Sequence, residues 1–308
     1  MHAPSHWAGI LAGGNGTRLH AFTKALTGDD RPKQFCRLVG PHTLVGATRA
    51  RLSSLVEPER TLCVVTRHHA EFYRDELADL PSYALIEQPS SRGTTAAIAY
   101  LVARVASLAP NAVLAMFPAD HHYEDASLLR QTTATAYAAA AIDRRRVFLV
   151  GAEPDRAETE YGYIEQGGLL PQFSSAMLPT GPIRAVTRFV EKPSAAEATA
   201  MLRRGCLWNT FVLVGHVEAF SGLLDETVPG LYREFRALWS QPDEPACAAH
   251  LYDELPASDF SKDILSRCPD RLGVLSLPPG NWTDLGQPSR VLEVMAARRH
   301  MSAALVAS

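Results

Sequence analysis

Apolar residues occur along this chain in two patterns, as short continuous runs and as residues spaced three or four positions apart. Short apolar runs predict buried strands at 7–11, 61–66, 83–87, 112–117 and 147–150. Between these runs, apolar residues recur at helical spacing, which predicts helices at 43–55, 69–80, 94–108 and 127–142. Strands that alternate with helices in this way are typical of a mainly parallel sheet with helices on both faces.

The second half of the chain is less regular. Strands are predicted at 161–165, 184–190, 207–214 and 272–277, and helices at 195–203, 291–306 and within 220–249. The segment 171–182 has no clear period and predicts an irregular loop. The whole pattern predicts an α/β fold with a Rossmann-like mixed, mainly parallel sheet flanked by helices.

Composition and charge narrow the class of protein. The chain has 308 residues, 46% of them hydrophobic and 20% charged, which is typical of a globular protein. A net charge of −3 argues against nucleic acid or an anionic membrane as a partner. The five cysteines include no C-x-x-C pair, and no apolar run is long enough to span a membrane. Because there is no signal peptide either, we expect a cytoplasmic protein with reduced thiols.

The loop that follows the first strand is rich in glycine. Residues 10–19 are Ile-Leu-Ala-Gly-Gly-Asn-Gly-Thr-Arg-Leu. Glycine lets backbone N–H groups surround a phosphate, and Arg18 and Lys33 add the cations that a triphosphate needs. The chain lacks the Gly-Lys-Ser/Thr of a Walker loop, and Leu19 stands where a dinucleotide loop needs a small residue. On these residues alone, an ordinary glycine turn is the alternative.

Polar residues also follow two later strands, at the edge where ligands bind in parallel sheets. Thr94 and Thr95 precede a helix, either as simple helix caps or beside an anion at the helix N-terminus. Asp120 follows the strand at 112–117 and precedes two histidines, and a carboxylate there can hold Mg²⁺. Because adjacent side chains in an extended segment diverge, a metal site made by the histidines is disfavoured.

These motifs resemble a known family. Leu-Ala-Gly-Gly-x-Gly-Thr-Arg-Leu followed by Arg-Pro-Lys-Gln-Phe is similar to the opening of the sugar-1-phosphate nucleotidyltransferases, and most like the mannose-1-phosphate guanylyltransferases (GDP-mannose pyrophosphorylases). The resemblance implies the nucleotidyltransferase or glycosyltransferase-A-like fold in a single catalytic domain, 1–308. Its nucleotide-binding half would span about 1–150 and its sugar-binding half about 151–308. We expect neither a C-terminal β-helix nor a cupin domain.

The resemblance also implies roles for particular residues. Arg18 and Lys33 would be catalytic, and Asp120 and Asp284 would hold Mg²⁺. The residues implied at the nucleotide are Leu11, Ala12, Gly13, Gly14, Gly16, Thr17, Gln88, Arg92 and Thr94. Those implied at the sugar phosphate are Gly162, Glu165, Lys192 and Asn209. Asp259 and Asp263 would either assist them or cap a helix.

The implied activity is transfer of GMP from GTP to mannose 1-phosphate, which gives GDP-mannose and pyrophosphate by Mg²⁺-dependent in-line attack on the α-phosphate. The partners are then small molecules, and 220–249 forms scaffold or the surface of a homodimer. Thr210-Phe211 and His20-Ala21 depart from the family pattern, which has Ser-Gly at the first place and proline near the second. Alternatives are another sugar 1-phosphate or nucleoside triphosphate, and a non-catalytic regulatory subunit that binds an NDP-sugar.

Overall fold

The structure is a computed structural model that describes residues 4–173 and 181–306. A nine-stranded sheet forms its centre, and β5 and β11 make a separate two-stranded ribbon. In chain order the strands are β1 (His6–Leu11), β2 (Thr61–Thr66), β3 (Leu85–Gln88), β4 (Val113–Pro118), β5 (His121–Tyr123), β6 (Val147–Ala152), β7 (Gly162–Leu169), β8 (Arg184–Glu191), β9 (Leu207–His216), β10 (Leu272–Leu277) and β11 (Trp282–Asp284).

The order of strands in the large sheet is β3-β2-β1-β4-β9-β6-β10-β8-β7. β1 runs parallel to β2 and β4, and β6 runs parallel to β10, whereas β9 is antiparallel to both β4 and β6. The first residues of β9 also pair with β7. The sheet is therefore mixed, and the predicted α/β fold class is confirmed.

Helices cover both faces of the sheet. They are α1 (His20–Thr27), α2 (Leu44–Leu52), α3 (Ala70–Tyr73), α4 (Gly93–Leu108), α5 (Ala126–Ile142), α6 (Ala195–Arg203), α7 (Val217–Thr227), α8 (Leu231–Leu238), α9 (Glu244–Glu254), α10 (Phe260–Asp263) and α11 (Pro288–Val306). α4, α7 and α8 pack on one face, and α2 and α5 pack on the other. Because both faces are covered, β2, β4 and β6 are buried at every position. Among the helices of the described ranges, none has the length and apolar character needed to cross a membrane.

Several predicted elements differ in their bounds from the structure, and two of these differences have a clear local cause. The helix predicted at 69–80 is wrong over most of its length, because α3 ends at Tyr73 and short turns follow it. Pro81 then disfavours a helical conformation at the residue before it. The strand predicted at 83–87 begins only at Leu85, because Ser82–Ala84 forms a single 3₁₀ turn. Part of the loop predicted at 171–182, namely 174–180, lies outside the described residues.

A glycine in β1 determines how closely α4 packs on the sheet. A Cβ added at Gly9 would lie 2.2 Å from Cδ2 and 3.0 Å from Cδ1 of Leu101, a fully buried residue. Gly9→Ala should therefore lower the free energy of unfolding by about 1–3 kcal/mol, measured by urea denaturation. Gly168→Ala is the matched control, since nothing lies within 4 Å of a Cβ at that position.

The same contact predicts that the effects of Gly9→Ala and Leu101→Ala do not add. The double variant should lose less stability than the sum of the single variants, because the smaller side chain makes room for the new methyl group. Unchanged stability of Gly9→Ala would contradict this account of the packing.

Candidate active site

The carboxyl ends of β1, β3 and β4 open into a cleft of about 340 Å³. Because β9 runs in the opposite direction, its first residues lie at the same edge of the sheet. The predicted site residues that line the cleft are Leu11, Gly13, Gly14, Gly16, Arg18, Gln88, Thr94, Asp120, Gly162, Lys192, Asn209 and Asp284. A smaller cavity of about 220 Å³ shares Gly16, Arg18 and Asp120 with the cleft and adds Thr17 and Lys33. The tertiary structure thus brings most of the predicted set together.

Two residues predicted at the nucleotide line neither the cleft nor the smaller cavity. Ala12 is buried, and its N–H donates to the carbonyl of Val64 at 2.8 Å. Arg92 donates from Nε to the carbonyl of Tyr252 at 2.7 Å. These hydrogen bonds join both residues to segments beside the cleft.

Glu165, expected at the sugar phosphate, is not among the residues that line the cleft either. Its Oε1 lies 3.2 Å from Nε of Arg204. Side chains alternate between the two faces of a strand, and Gly162, three positions earlier in β7, is the residue that lines the cleft. Glu191, at the end of the neighbouring strand β8, does line the cleft.

The glycine loop is held by hydrogen bonds to its carbonyl groups. Gln34 donates from Nε2 to the carbonyls of Ala12 and Gly14, each at 2.8 Å, and Thr66 donates to the carbonyl of Gly13 at 2.7 Å. A Cβ at Gly13 would lie 2.4 Å from Nε2 of Gln88, so a larger residue there would have to displace this side chain. In the described parts of the chain, the backbone N–H groups of 13–16 donate no hydrogen bond. They remain available to an anion.

Lys33 and Asp120 form a partly buried ion pair at the end of the cleft. Nζ of Lys33 lies 2.9 Å from Oδ2 of Asp120 and donates to the carbonyl of Leu285, also at 2.9 Å. Burial, the largest single effect, raises the pKa of Asp120, but the charges of Lys33 and His121 and the hydrogen bonds to the carboxylate together outweigh it, so the pKa is lowered overall. Asp120 is therefore an anion at neutral pH.

Asp284 has two donors on one oxygen. The Tyr161 hydroxyl donates to Oδ1 at 2.8 Å, and Arg290 also donates to it. Nη2 of Arg290 also lies 2.7 Å from Oε2 of Glu158, and Cζ of Arg290 lies 4.5 Å from the centre of the Tyr161 ring. With only 3% of its surface exposed, Arg290 is a buried cation between two carboxylates. The sequence contains no signal for this contact, because an arginine near the start of a helix usually faces solvent.

The two acids predicted to bind metal are brought close together by the ribbon. Asp284 of β11 pairs with His121 of β5, the residue that follows Asp120. Oδ2 of Asp284 accepts no hydrogen bond from the described residues, and Oδ1 of Asp120 has only Nε2 of His121 within 4 Å as an ionic neighbour, at 3.9 Å. Two hard oxygen donors of this kind fit Mg²⁺ provided that water and substrate phosphates complete the shell. In the described ranges no group of three or more His, Cys, Asp or Glu forms a metal cage.

Arg18 is already paired across the mouth of the cleft. Its Nη1 lies 2.6 Å from Oε2 of Glu160, with 55% and 38% of the two side chains exposed. Glu160 also lines the cleft, and sequence analysis assigned it no role. A triphosphate that takes Arg18 must therefore compete with this carboxylate.

Strained backbone occurs at the opposite wall. Lys192 and Phe211 are the non-glycine residues of the described chain with positive φ, 49° and 57°, and both line the cleft. The Phe211 N–H donates to Oδ1 of Asn209 at 3.0 Å, which holds this turn of β9. Nζ of Lys192 lies 3.4 Å from Oε1 of Glu191. Such conformations persist only where the surrounding structure imposes them, and they cluster at functional sites.

The threonines at the start of α4 are not its caps. Thr94 accepts from the N–H of Phe260 at 2.8 Å, and the hydroxyl of Thr95 lies 2.8 Å from that of Ser258. Asp259 caps α10 by accepting from the N–H of Lys262 at 3.0 Å. These bonds join the first turn of α4 to the segment that closes this side of the cleft.

A glycine loop at the edge of an α/β sheet, with facing cations and two acids, indicates a protein that handles nucleoside phosphates. Residues 8–300 match the nucleotidyl transferase family, and the chain belongs to that family. The family resemblance and the fold class expected from the sequence are thereby confirmed.

Several relatives make the likeness more specific. The chain is 33% identical over 294 residues to the alginate biosynthesis protein AlgA of Pseudomonas aeruginosa. The match covers 93% of this chain and 58% of AlgA. It is 27% identical over 292 residues to the mannose-1-phosphate guanylyltransferase of Klebsiella pneumoniae, which covers 92% and 59%. The chain thus spans somewhat under three-fifths of the length of these curated relatives.

A solved structure agrees with the fold. The crystal structure of a mannose-1-phosphate geranyltransferase from Thermus thermophilus matches with a TM-score of 0.78 and 30% identity. The match covers 92% of this chain and 76% of that one.

Lys33→Met should lower the free energy of unfolding by about 2–3 kcal/mol, because it leaves the partly buried Asp120 carboxylate without its cation. Urea denaturation in EDTA would measure the effect, with Lys262→Met on the surface as the control. Since the folded-state pKa of Asp120 lies below the unfolded value of 3.8, the pair stabilises the protein above that pH and the stabilisation is lost on acidification. In Lys33→Met, the free energy of unfolding should therefore decrease less on acidification than it does in the unchanged protein.

Adding Asp120→Asn to Lys33→Met should recover part of the loss, with a coupling of about 1–2 kcal/mol between the two sites. Strictly additive effects would mean that the pair does not stabilise the fold.

Proposed function

We propose that the chain transfers a nucleoside monophosphate from a nucleoside triphosphate to a sugar 1-phosphate, with GTP and mannose 1-phosphate as the substrates. The observation that carries the proposal is the cleft itself. The free N–H groups of the glycine loop, two cations and two acids lie at one end of the cleft, and Lys192 lies in the opposite wall. A triphosphate and a second phosphate can therefore meet between them.

The triphosphate would bind along the glycine loop, with Arg18 and Lys33 on its outer phosphates. Gln88 is available at the base end, where its Oε1 accepts from the Tyr252 hydroxyl at 3.1 Å and its amide N–H₂ group can donate further. Lys192 would hold the sugar phosphate, and Asn209 and Glu191 would form hydrogen bonds with sugar hydroxyls.

The reaction needs positioning and charge neutralisation more than a covalent catalyst. An oxygen of the sugar phosphate attacks the α-phosphorus in line, the bond from that phosphorus to the bridging oxygen breaks, and pyrophosphate leaves. When bound by Asp120 and Asp284, Mg²⁺ would neutralise charge on the phosphates. Lys33, which already contacts Asp120, would stay beside the charge that develops on the leaving group.

The names of the relatives support this choice of substrates. A relative from Klebsiella pneumoniae is a mannose-1-phosphate guanylyltransferase, and the protein from Thermus thermophilus is named a mannose-1-phosphate geranyltransferase. Fold and charge alone suit other pairs of triphosphate and sugar 1-phosphate equally well, so the pair must be measured.

Pyrophosphate release with Mg²⁺ tests the proposal. The four common nucleoside triphosphates are each offered with mannose 1-phosphate and with glucose 1-phosphate. Fast release restricted to GTP and mannose 1-phosphate would support the full proposal, and release with another pair would keep the reaction but change the substrates. Nucleotide binding without release by any pair would favour a non-catalytic regulatory subunit.

Asp120→Asn should lower turnover by at least about a hundredfold, since it removes a charge that the site needs in the transition state. Asp225→Asn, on the exposed surface, is the matched control and should keep full activity. Near-normal Mg²⁺-dependent turnover by Asp120→Asn would contradict the role of this acid.

Glu160→Gln should tighten binding of the triphosphate by about twofold to fivefold, because Arg18 no longer has a competing carboxylate. Equilibrium dialysis with labelled GTP measures the change, and the urea midpoint should stay the same. In the double variant with Arg18→Gln the gain should disappear. Weaker binding by Glu160→Gln would instead make Glu160 part of the nucleotide site.

A further inference from the structure

A separate cavity of about 410 Å³ lies against β5, away from the glycine loop. The segment 39–42, the helix α2, the ribbon strand β5 and one residue of α11 enclose it. Its polar side chains are His42, Arg51, His121, His122, Tyr123, Glu124 and Arg298. The cavity shares only His121 with the cleft described above.

The charge of this cavity is unbalanced. Two guanidinium groups, of Arg51 and Arg298, line it, and Glu124 is the single carboxylate among the lining residues. Glu124 lies 3.5 Å from Nε2 of His122 and so already has a basic neighbour. Among the side chains that the structure describes, neither Arg51 nor Arg298 forms an ion pair.

Of the two cations, Arg51 is the more buried. It is half-buried, with Cζ 4.9 Å from the centre of the Tyr123 ring. Of its five N–H donors, only one forms a hydrogen bond to a described residue, a long one of 3.4 Å from Nη1 to the hydroxyl of Thr48. Burial lowers the pKa of Arg51, so its charge is costly without an anion nearby.

We propose that this cavity binds a small phosphorylated molecule, with its phosphate between the guanidinium groups of Arg51 and Arg298. Guanidinium forks match the oxygens of a phosphate and form charge-assisted hydrogen bonds with it. The volume is that of an ordinary small-molecule site and leaves room for a short organic body beside the phosphate. The aliphatic wall formed by Leu44, Ala47 and Ala50 suits such a body.

A ligand in this cavity would lie at a different place in the protein from the substrates of the cleft. β5 forms one wall of the cavity, Asp120 directly precedes this strand, and Asp284 pairs with its first residue. A ligand here would touch the ribbon that carries both acids without occupying the cleft. The proposal does not depend on the reaction assigned to the cleft.

Inorganic phosphate is the probe, titrated by calorimetry at low ionic strength. The starting protein carries Arg18→Gln and Lys192→Gln, which removes two cations from the cleft and leaves the second cavity intact. Phosphate should still bind to this protein, and adding Arg298→Gln should weaken binding by about tenfold or more. Arg233→Gln, an exposed arginine outside both cavities, is the matched control and should change affinity by less than about twofold.

Arg51→Gln should weaken binding at least as much, but it also removes a packed side chain from Tyr123. Arg298 is exposed, so its variant keeps the test valid if Arg51→Gln fails to fold. No phosphate binding up to about 10 mM in the starting protein would overturn the proposal. Equal losses in Arg298→Gln and Arg233→Gln would also overturn it, because they would indicate a general effect of charge.

Discussion

The ion pair between Lys33 and Asp120 is the contact on which the geometry of the cleft depends. It joins the segment after the glycine loop to the end of β4, and a further bond from Lys33 to Leu285 adds the turn after β11. These segments are far apart in the chain. Removing a carboxylate and an ammonium from water is costly unless they are paired, so the pair holds the segments in one arrangement.

The second acid of the cleft is balanced in the same way. Arg290 pairs with both Asp284 and Glu158 and stacks on Tyr161. Both Asp120 and Asp284 therefore contact a cation, Lys33 and Arg290 respectively, which reduces the repulsion between two nearby carboxylates. A ligand that binds these acids must therefore share them with the side chains that already pair with them. Arg18, paired with Glu160, presents the same competition on the side of the nucleotide.

The local patterns of the chain were enough for much of the fold and for part of the site. The strand predicted at 272–277 and the helix predicted at 195–203 have the same bounds in the structure. The glycine loop and Asp120 were predicted because they directly follow strands, and parallel strands end at a common edge. Gln88, the last residue of β3, was predicted from the family resemblance. The helix at 69–80 failed because periodic apolar residues do not reveal where turns interrupt a helix. The absence of Glu165 from the lining of the cleft could not be read from the sequence, because the face of a strand that meets a cleft depends on its neighbours in the sheet.

The sequence by itself determined the α/β class, the family and the residues that follow each strand, since these depend on spacing along the chain. The tertiary structure alone decided which of these residues meet. It placed Arg290 between Asp284 and Glu158, Glu160 on Arg18, and Glu191 in the cleft in place of Glu165. It also decided that Arg51 is half-buried in a cavity that Arg298 shares. The physical reason is that ion pairs and burial depend on how distant segments pack, as with Arg18 and Glu160 or Arg290 and Glu158, and no local period records such contacts.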